Sequence, residues 1–304
     1  MIRYLKNTEI DKLKWDKCIH DSSHGIIYSL SWYLDIVSPG WEGLVEDDYQ
    51  SVFSITNRKK AGFNYLYQPH FTQQLGLYGR NQISSEKLFE FISSIPDKFL
   101  LIEIQLNYKN NYIPVKDFRI EPKRTFHLNL SEDIEKIKTE YSENLKRNIK
   151  KAGKSNLKII KNIAPSDVID LFRSNRGKDI GHLKESDYKN LNSIYMSAGK
   201  KDLLDCRGIF NDKDQLIAGA AFLKSMHSHI FHFSGLSDDG RESGAMSYLI
   251  DSYISDHASS DSILDFEGSM DEQLARFYKS FGSKEIVYLQ ILKNKLPLFI
   301  RWLK

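Results

Sequence analysis

Apolar residues recur along this chain in two rhythms, and the switch between them gives an order of elements. In HFSGLSDDGRESGAMSYLID, residues 232–251, an alternating run breaks at a turn of Ser, Asp and Gly. It gives way to Ala245, Met246, Leu249, Ile250, Tyr253 and Ile254, the spacing of one buried helical stripe. Around this segment the C-terminal half predicts a strand at NLKII and a helix at APSDVIDLFRS capped by Ser166. A second helix at KESDYKNLNSIYMSAG precedes strands at DLLDCRGIF, QLIAGAAFLKS and HSHIFHFSG. After the quoted helix come a strand at SILDF, a helix at DEQLARFYKSFG capped by Asp271, and a strand at KEIVYLQIL.

The N-terminal half nearly repeats that order. IRYL is a strand, EIDKLKWDKCIHD and SLSWYLDIV are helices, and GLVED, QSVFSIT and NYLYQ are strand candidates. A long irregular loop, PHFTQQLGLYGRNQ, leads to the helix SEKLFEFISSI and the strands FLLIEIQL and RTFHLNL. A β-α-α-β-β-β-α-β-α-β order that nearly repeats predicts an α/β chain of two related domains, 1–135 and 136–304.

Composition narrows the class. A chain of 304 residues, 41% hydrophobic and 12% aromatic, has ample material for packed cores, which excludes disorder. Lys and Arg number 43 against 40 Asp and Glu, a net charge of +3 that does not mark a nucleic-acid binder. The local distribution differs. Lys146, Arg147, Lys150, Lys151, Lys154, Lys158 and Lys161 fall between Leu145 and Asn162 without one acid. The run is either a solvated linker helix or a patch for a phosphorylated or nucleic-acid partner.

Two cysteines far apart, Cys18 and Cys206, form no disulfide framework and no CxxC, which suits a reducing, cytoplasmic setting. Cys206 reads as a small core residue. The N-terminus is charged where a signal peptide is apolar, and the longest apolar runs are too short for a transmembrane span. LPLFIRWLK at the C-terminus is expected to pack on the second domain.

Candidate chemistry gathers in the C-terminal half. Arg241, Ser243 and Gly244 stand at a helix start, where backbone N–H groups and the positive end of the helix suit phosphate. LDFEGS puts Asp265, Glu267 and Ser269 at a strand end. Glu267 is a candidate base for an amine, or a cap for the loop. His227 and His229 share one face of their strand by alternation. No third ligand converges on them, so no metal is expected. His232 and Ser234 share the other face and are candidates for an acceptor pocket. In the first half, Tyr67, Gln68 and Gln74, with Gln73, either shape a substrate groove or order their loop.

The order of the second half resembles the GNAT acyltransferase fold, and two motifs carry the resemblance. The family's Arg/Gln-x-x-Gly-x-Gly/Ala pattern is met in Arg241-Glu242-Ser243-Gly244-Ala245-Met246, with Met246 in place of the last small residue. That implies a donor-phosphate seat at Gly240, Arg241, Ser243, Gly244 and Ala245. The family's Ala, Tyr and Gly in the helix before the last strands are met in Ala275, Tyr278 and Gly282. That implies Tyr278 as general acid, although an aromatic on an amphipathic helix reads the same. Two GNAT-like halves, the basic LKRNIKKAGKSNLKI, and LDFEGS before FYKSFG resemble the FemAB-like branch, without the coiled-coil arm of some members.

The resemblance implies two tandem GNAT-like domains, each a mixed central sheet flanked by helices, with the donor site in the second. It implies transfer of an acyl or aminoacyl group from acyl-CoA or aminoacyl-tRNA, used as co-substrate with no tightly bound cofactor. The acceptor is a small-molecule or peptide amine. A GNAT-fold binding module without activity is the alternative.

Overall fold

The computed structural model describes residues 1–60, 62–110, 116–179, 181, 183–268 and 270–297. Ser269 and most of LPLFIRWLK lie outside them. The chain forms two compact units, Met1–Arg124 with Val287–Lys304, and Thr125–Ile286. The expected boundary at 135/136 therefore differs from the packing, which puts residues 125–135 in the second unit and the chain from Val287 in the first. Both crossings fall inside a strand, where no loop composition marks a boundary.

The first unit opens with β1 (Ile2–Leu5), α1 (Lys12–Asp21), α2 (Ser31–Val37), β2 (Glu42–Glu46) and β3 (Ser51–Ile55). It continues through β4 (Asn57–Lys60), β5 (Phe63–Leu66), β6 (Leu77–Gly79), α3 (Ser85–Ser93) and β7 (Phe99–Gln105). Asp11 starts α1 by accepting from the amides of Leu13 and Lys14. Strands β1-β2-β3-β6 form an antiparallel sheet. β4 pairs antiparallel with β5, which runs parallel to β7. The core holds Trp15 and Trp41, fully buried with ring centroids 4.7 Å apart.

The second unit begins within β8 (Arg119–Asn129) and continues through α4 (Ile134–Thr139), α5 (Glu143–Lys154), β9 (Lys158–Lys161), α6 (Pro165–Ser174) and α7 (Glu185–Gly199). Then come β10 (Leu204–Phe210), β11 (Leu216–Lys224), β12 (Ser228–Leu236), α8 (Asp238–Ser243), α9 (Ala245–His257), β13 (Ile263–Asp265) and α10 (Glu272–Lys279). β14 (Lys284–Asn294) leads out of it and pairs antiparallel with β7 through residues 290–294. The sheet order here is β8-β13-β12-β11-β10-β9. Every pair is antiparallel except β12 with β13.

Helix starts follow local chemistry. Ser142 caps α5 through the Leu145 amide, and Asp271 caps α10 through the amides of Gln273 and Leu274. α6 starts one residue ahead of the expected cap Ser166: Ala164 is the cap, because Pro165 fits the first helical position. The core stacks Phe222 on Tyr253 at 3.6 Å and gathers Phe231, Phe266, Tyr278 and Phe281. Cys18 and Cys206 are buried, and burial pushes their thiols up to about 11 and about 12. Among the described residues no helix is long and apolar enough to cross a membrane.

Candidate active site

The site starts from a parting of strands. β12 and β13 pair from Ser228↔Ile263 to Ile230↔Asp265, and β12 then runs on to Leu236 with no strand beside that edge among the described residues. A cavity of about 350 Å³ opens where they separate, outside the carboxyl ends of two parallel strands. Phe231, Ser234 and Leu236 of β12 form one wall. Residues 231 and 234 share that wall because β12 carries a bulge. Phe231 faces Phe222 and Phe233 faces Ala221, which leaves His232 as the extra residue.

The bulge corrects the expectation that His232 lines the cavity with Ser234. Ser234 does; His232 is buried, with Nδ1 2.9 Å from the hydroxyl of Tyr195. His229 is turned to the Tyr253 hydroxyl at 2.8 Å, and burial lowers its pKa to about 4. Among the described residues no group of His, Cys, Asp or Glu is gathered as metal ligands.

The turn after β12 forms the next wall. A single helix start was expected there; instead α8 ends at Ser243 and α9 begins afresh at Ala245, with Gly244 left-handed between them (φ +75°). The first bond of α9 runs from the Tyr248 amide to the Gly244 carbonyl at 3.2 Å. The amides of Ala245, Met246 and Ser247 thus precede its ladder. Gly240, Arg241, Gly244, Met246 and Ser247 line the cavity. Ala245 is fully buried, and the Ser243 hydroxyl is turned back to the Gly240 carbonyl at 3.2 Å. Gly240 is required by packing, since a Cβ would stand 2.2 Å from the Ile217 carbonyl oxygen. Arg241 is exposed, with no ion pair among the described residues.

α5 crosses beside this turn. Leu145 and Ala152 are its buried face, Asn148 lines the cavity, and Lys151 Nζ donates to the Glu242 carbonyl at 2.7 Å. The basic run divides. Lys146, Lys158 and Lys161 pair with Glu143, Asp214 and Asp256. Arg147, Lys150 and Lys154 are exposed and have no acid partner among the described residues.

α10 supplies Leu274, Phe277 and Tyr278, and α6 with the loop behind it supplies Phe172 and Arg176. Tyr278 stacks on Phe266, centroids 5.1 Å apart and planes 23° apart. Burial pushes its phenol well above the ordinary value, so at neutral pH it is protonated and able to donate. Its hydroxyl has no hydrogen-bond partner among the described residues.

Glu267 does not reach the cavity wall. It has a left-handed conformation (φ +55°) and its amide donates to Asp265 Oδ1 at 2.8 Å. Its Oε1 is buried and without a partner among the described residues, and burial pushes the carboxyl well above the usual range. A carboxyl that is absent from the cavity lining is not placed to take a proton from an amine bound there. Tyr67, Gln68 and Gln74 belong to the first unit, where their polar ends order their own loop. Tyr67 donates to the Val37 carbonyl, and Gln68 bridges the Thr72 carbonyl and the Gln105 amide. Gln74 joins Gln73 to the Tyr108 amide.

Sequence reasoning missed Asn148, Phe172, Arg176, Met246, Ser247 and Phe277. Phe172 and Met246 lie on helical stripes that read as core, Phe277 sits on the amphipathic helix of Tyr278, and Asn148 and Ser247 are polar positions off any such stripe. Arg176 stands in the connection after α6, where a lone guanidinium beside a Gly was the available signal. Among the described residues two arginines and no acid line the cavity, so it suits an anionic ligand with an apolar body.

No protein-family model matches the sequence, and neither does any curated protein. Solved structures do. FemX is 11% identical with a TM-score of 0.69, over 97% of this chain and 98% of that one. L-PGS from Bacillus licheniformis is 9% identical with a TM-score of 0.56, over 96% and 95%. A tandem GNAT protein from the clavulanic acid biosynthesis pathway is 9% identical with a TM-score of 0.52, over 98% and 99%. At such identities the likeness is one of fold: the chain is folded like FemX, L-PGS and the tandem GNAT protein over nearly its whole length.

Proposed function

We propose that the chain transfers an acyl or aminoacyl group from an activated donor to an amine in the cavity of the second unit. The observation that carries this reading is the meeting of the unpartnered Tyr278 hydroxyl with Arg241 and the open first turn of α9 around one cavity. The donor's anionic carrier lies against Arg241, Gly244 and the amides of Met246 and Ser247, with its carbonyl beside the bulged stretch of β12. The amine nitrogen attacks the carbonyl carbon. As the carbon–sulfur or carbon–oxygen bond breaks, Tyr278 gives its proton to the leaving atom. The ammonium formed by the attack returns a proton to the phenolate, so the cycle closes without a separate base. Holding the two reactants in place supplies roughly 7–11 kcal/mol of the barrier, and the proton donor adds to it.

A turn plugged by side chains would favour the alternative of an inactive binding module; Gly240, Arg241 and Gly244 instead line the cavity, which supports the transfer reading. Acyl-CoA and aminoacyl-tRNA both carry phosphates. The acid-free side chains of Arg147, Lys150 and Lys154 favour the longer polyanion. Incubating the protein with acetyl-CoA, longer acyl-CoAs or charged tRNA and a panel of amines, with products read by mass, tests the reading. An amide is expected with wild type and lost in Tyr278→Phe. No amide from any pairing sets transfer aside in favour of the binding module.

A further inference from the structure

Resting on that transfer reading, we propose that the acceptor is an amine bearing an apolar side chain and a carboxylate, and that Arg176 holds the carboxylate at the α6–α10 end of the cavity. This end is distinct from the donor turn. Arg176 neighbours Asp271 at the start of α10, while Arg241 lies by Gly244 and Asn148. The two arginines stand on different elements, and on this reading each meets its own anion.

The Arg176 guanidinium is only loosely engaged. Its Asp271 partner is 4.0 Å away, at the edge of ion pairing, and the arginine side chain is 59% exposed. Asp271 Oδ1 is already taken by the amides of Gln273 and Leu274 at 2.8 and 3.2 Å. Among the described residues Asp271 is the one acid paired with Arg176 and no acid lines the cavity wall, so most of the five guanidinium donors face no protein partner there. Asp271 still offsets part of the local charge, which suits a singly charged carboxylate better than a doubly charged phosphate. The Arg176 charge also acts on the Tyr278 phenol, so the two groups lie within electrostatic reach.

Phe172, Leu274 and Phe277 complete this end. Phe172 is fixed against Phe233 at 4.6 Å and Phe277 edge-on against Phe281 at 5.4 Å, so the apolar walls exist before a ligand arrives. An α-amine stands one carbon from its carboxylate, so a carboxylate on Arg176 brings the nitrogen toward the Tyr278 side.

Calorimetric titration of the full chain tests this, with L-phenylalanine, L-alanine and L-phenylalaninol, which keeps the amine and ring but lacks the carboxylate. L-phenylalanine is expected to bind at least tenfold more tightly than either of the others. Arg176→Gln, an exposed change that leaves the fold intact, removes that advantage over phenylalaninol, and Arg176→Lys restores part of it. Phe277→Ala removes the advantage over alanine. The proposal is overturned if L-phenylalanine shows no saturable binding up to its solubility, if phenylalaninol binds equally, or if Arg176→Gln changes nothing. Carboxylate-dependent binding without amide formation from any donor would sink the transfer reading and leave this seat standing. Transfer that proceeds equally well to phenylalaninol would do the reverse.

Discussion

Asn148 of α5 lies so close to Gly244 that a β-carbon added to the glycine would stand 3.0 Å from the Asn148 carbonyl oxygen. The glycine is also left-handed, with φ +75°. Together these fix the corner at which α8 stops and α9 starts, and so fix where the amides of Met246 and Ser247 point. Gly244→Ala is expected to cost about 1–2 kcal/mol from the backbone conformation, plus a shift of α5. Thermal unfolding with and without a bound donor reads this: the variant melts lower, and the donor's stabilising shift shrinks as well.

Tyr278 has two jobs that one substitution separates. Its ring fills core space against Phe266 and Phe231, while the residue also lines the cavity and its hydroxyl is the proposed proton donor. Tyr278→Phe keeps the ring, so stability and donor affinity hold. The transfer rate falls on the order of 10²- to 10⁴-fold, the usual worth of a placed proton donor. Because burial raises the phenol's pKa, activity shows no alkaline fall at the ordinary phenol pKa near 10. Steady-state kinetics across pH check both statements.

Glu267 predicts a pH effect on stability. Its carboxyl titrates well above 4.5 in the folded chain and near 4.5 when unfolded. Between those values the folded state binds more protons than the unfolded one, so the folded state loses stability as pH rises through that window. Glu267→Gln keeps the shape without the titration. Denaturant unfolding at acid and neutral pH should show the variant gaining on wild type as pH rises, with no such gain for a residue that titrates normally.

Much of this was legible in the sequence, and the parts that were not have physical causes. The helical stripe at Ala245–Ile254 and the alternating strands before it follow from periodicity alone, and the Arg241 and Tyr278 motifs fall on one cavity. His232 was misplaced because strict alternation cannot register an extra residue, and the bulge moves every later side chain of β12 to the opposite face. The break at Gly244 was read as a single helix start because SDDGRES supports either reading. Arg176 carries no pattern of its own; only folding brings it to Tyr278. The boundary was missed because both crossings run through strands.

The direct test of the account is calorimetric titration of coenzyme A and of tRNA into wild type and Arg241→Gln, with salt varied. One carrier is expected to bind wild type at least tenfold more tightly than the variant. If the carrier is tRNA, contacts from Arg147, Lys150, Lys154 and Arg241 give a log–log salt slope of about −3. If neither carrier binds, or if binding is indifferent to Arg241, the corner at Gly244 holds no donor and the account is contradicted.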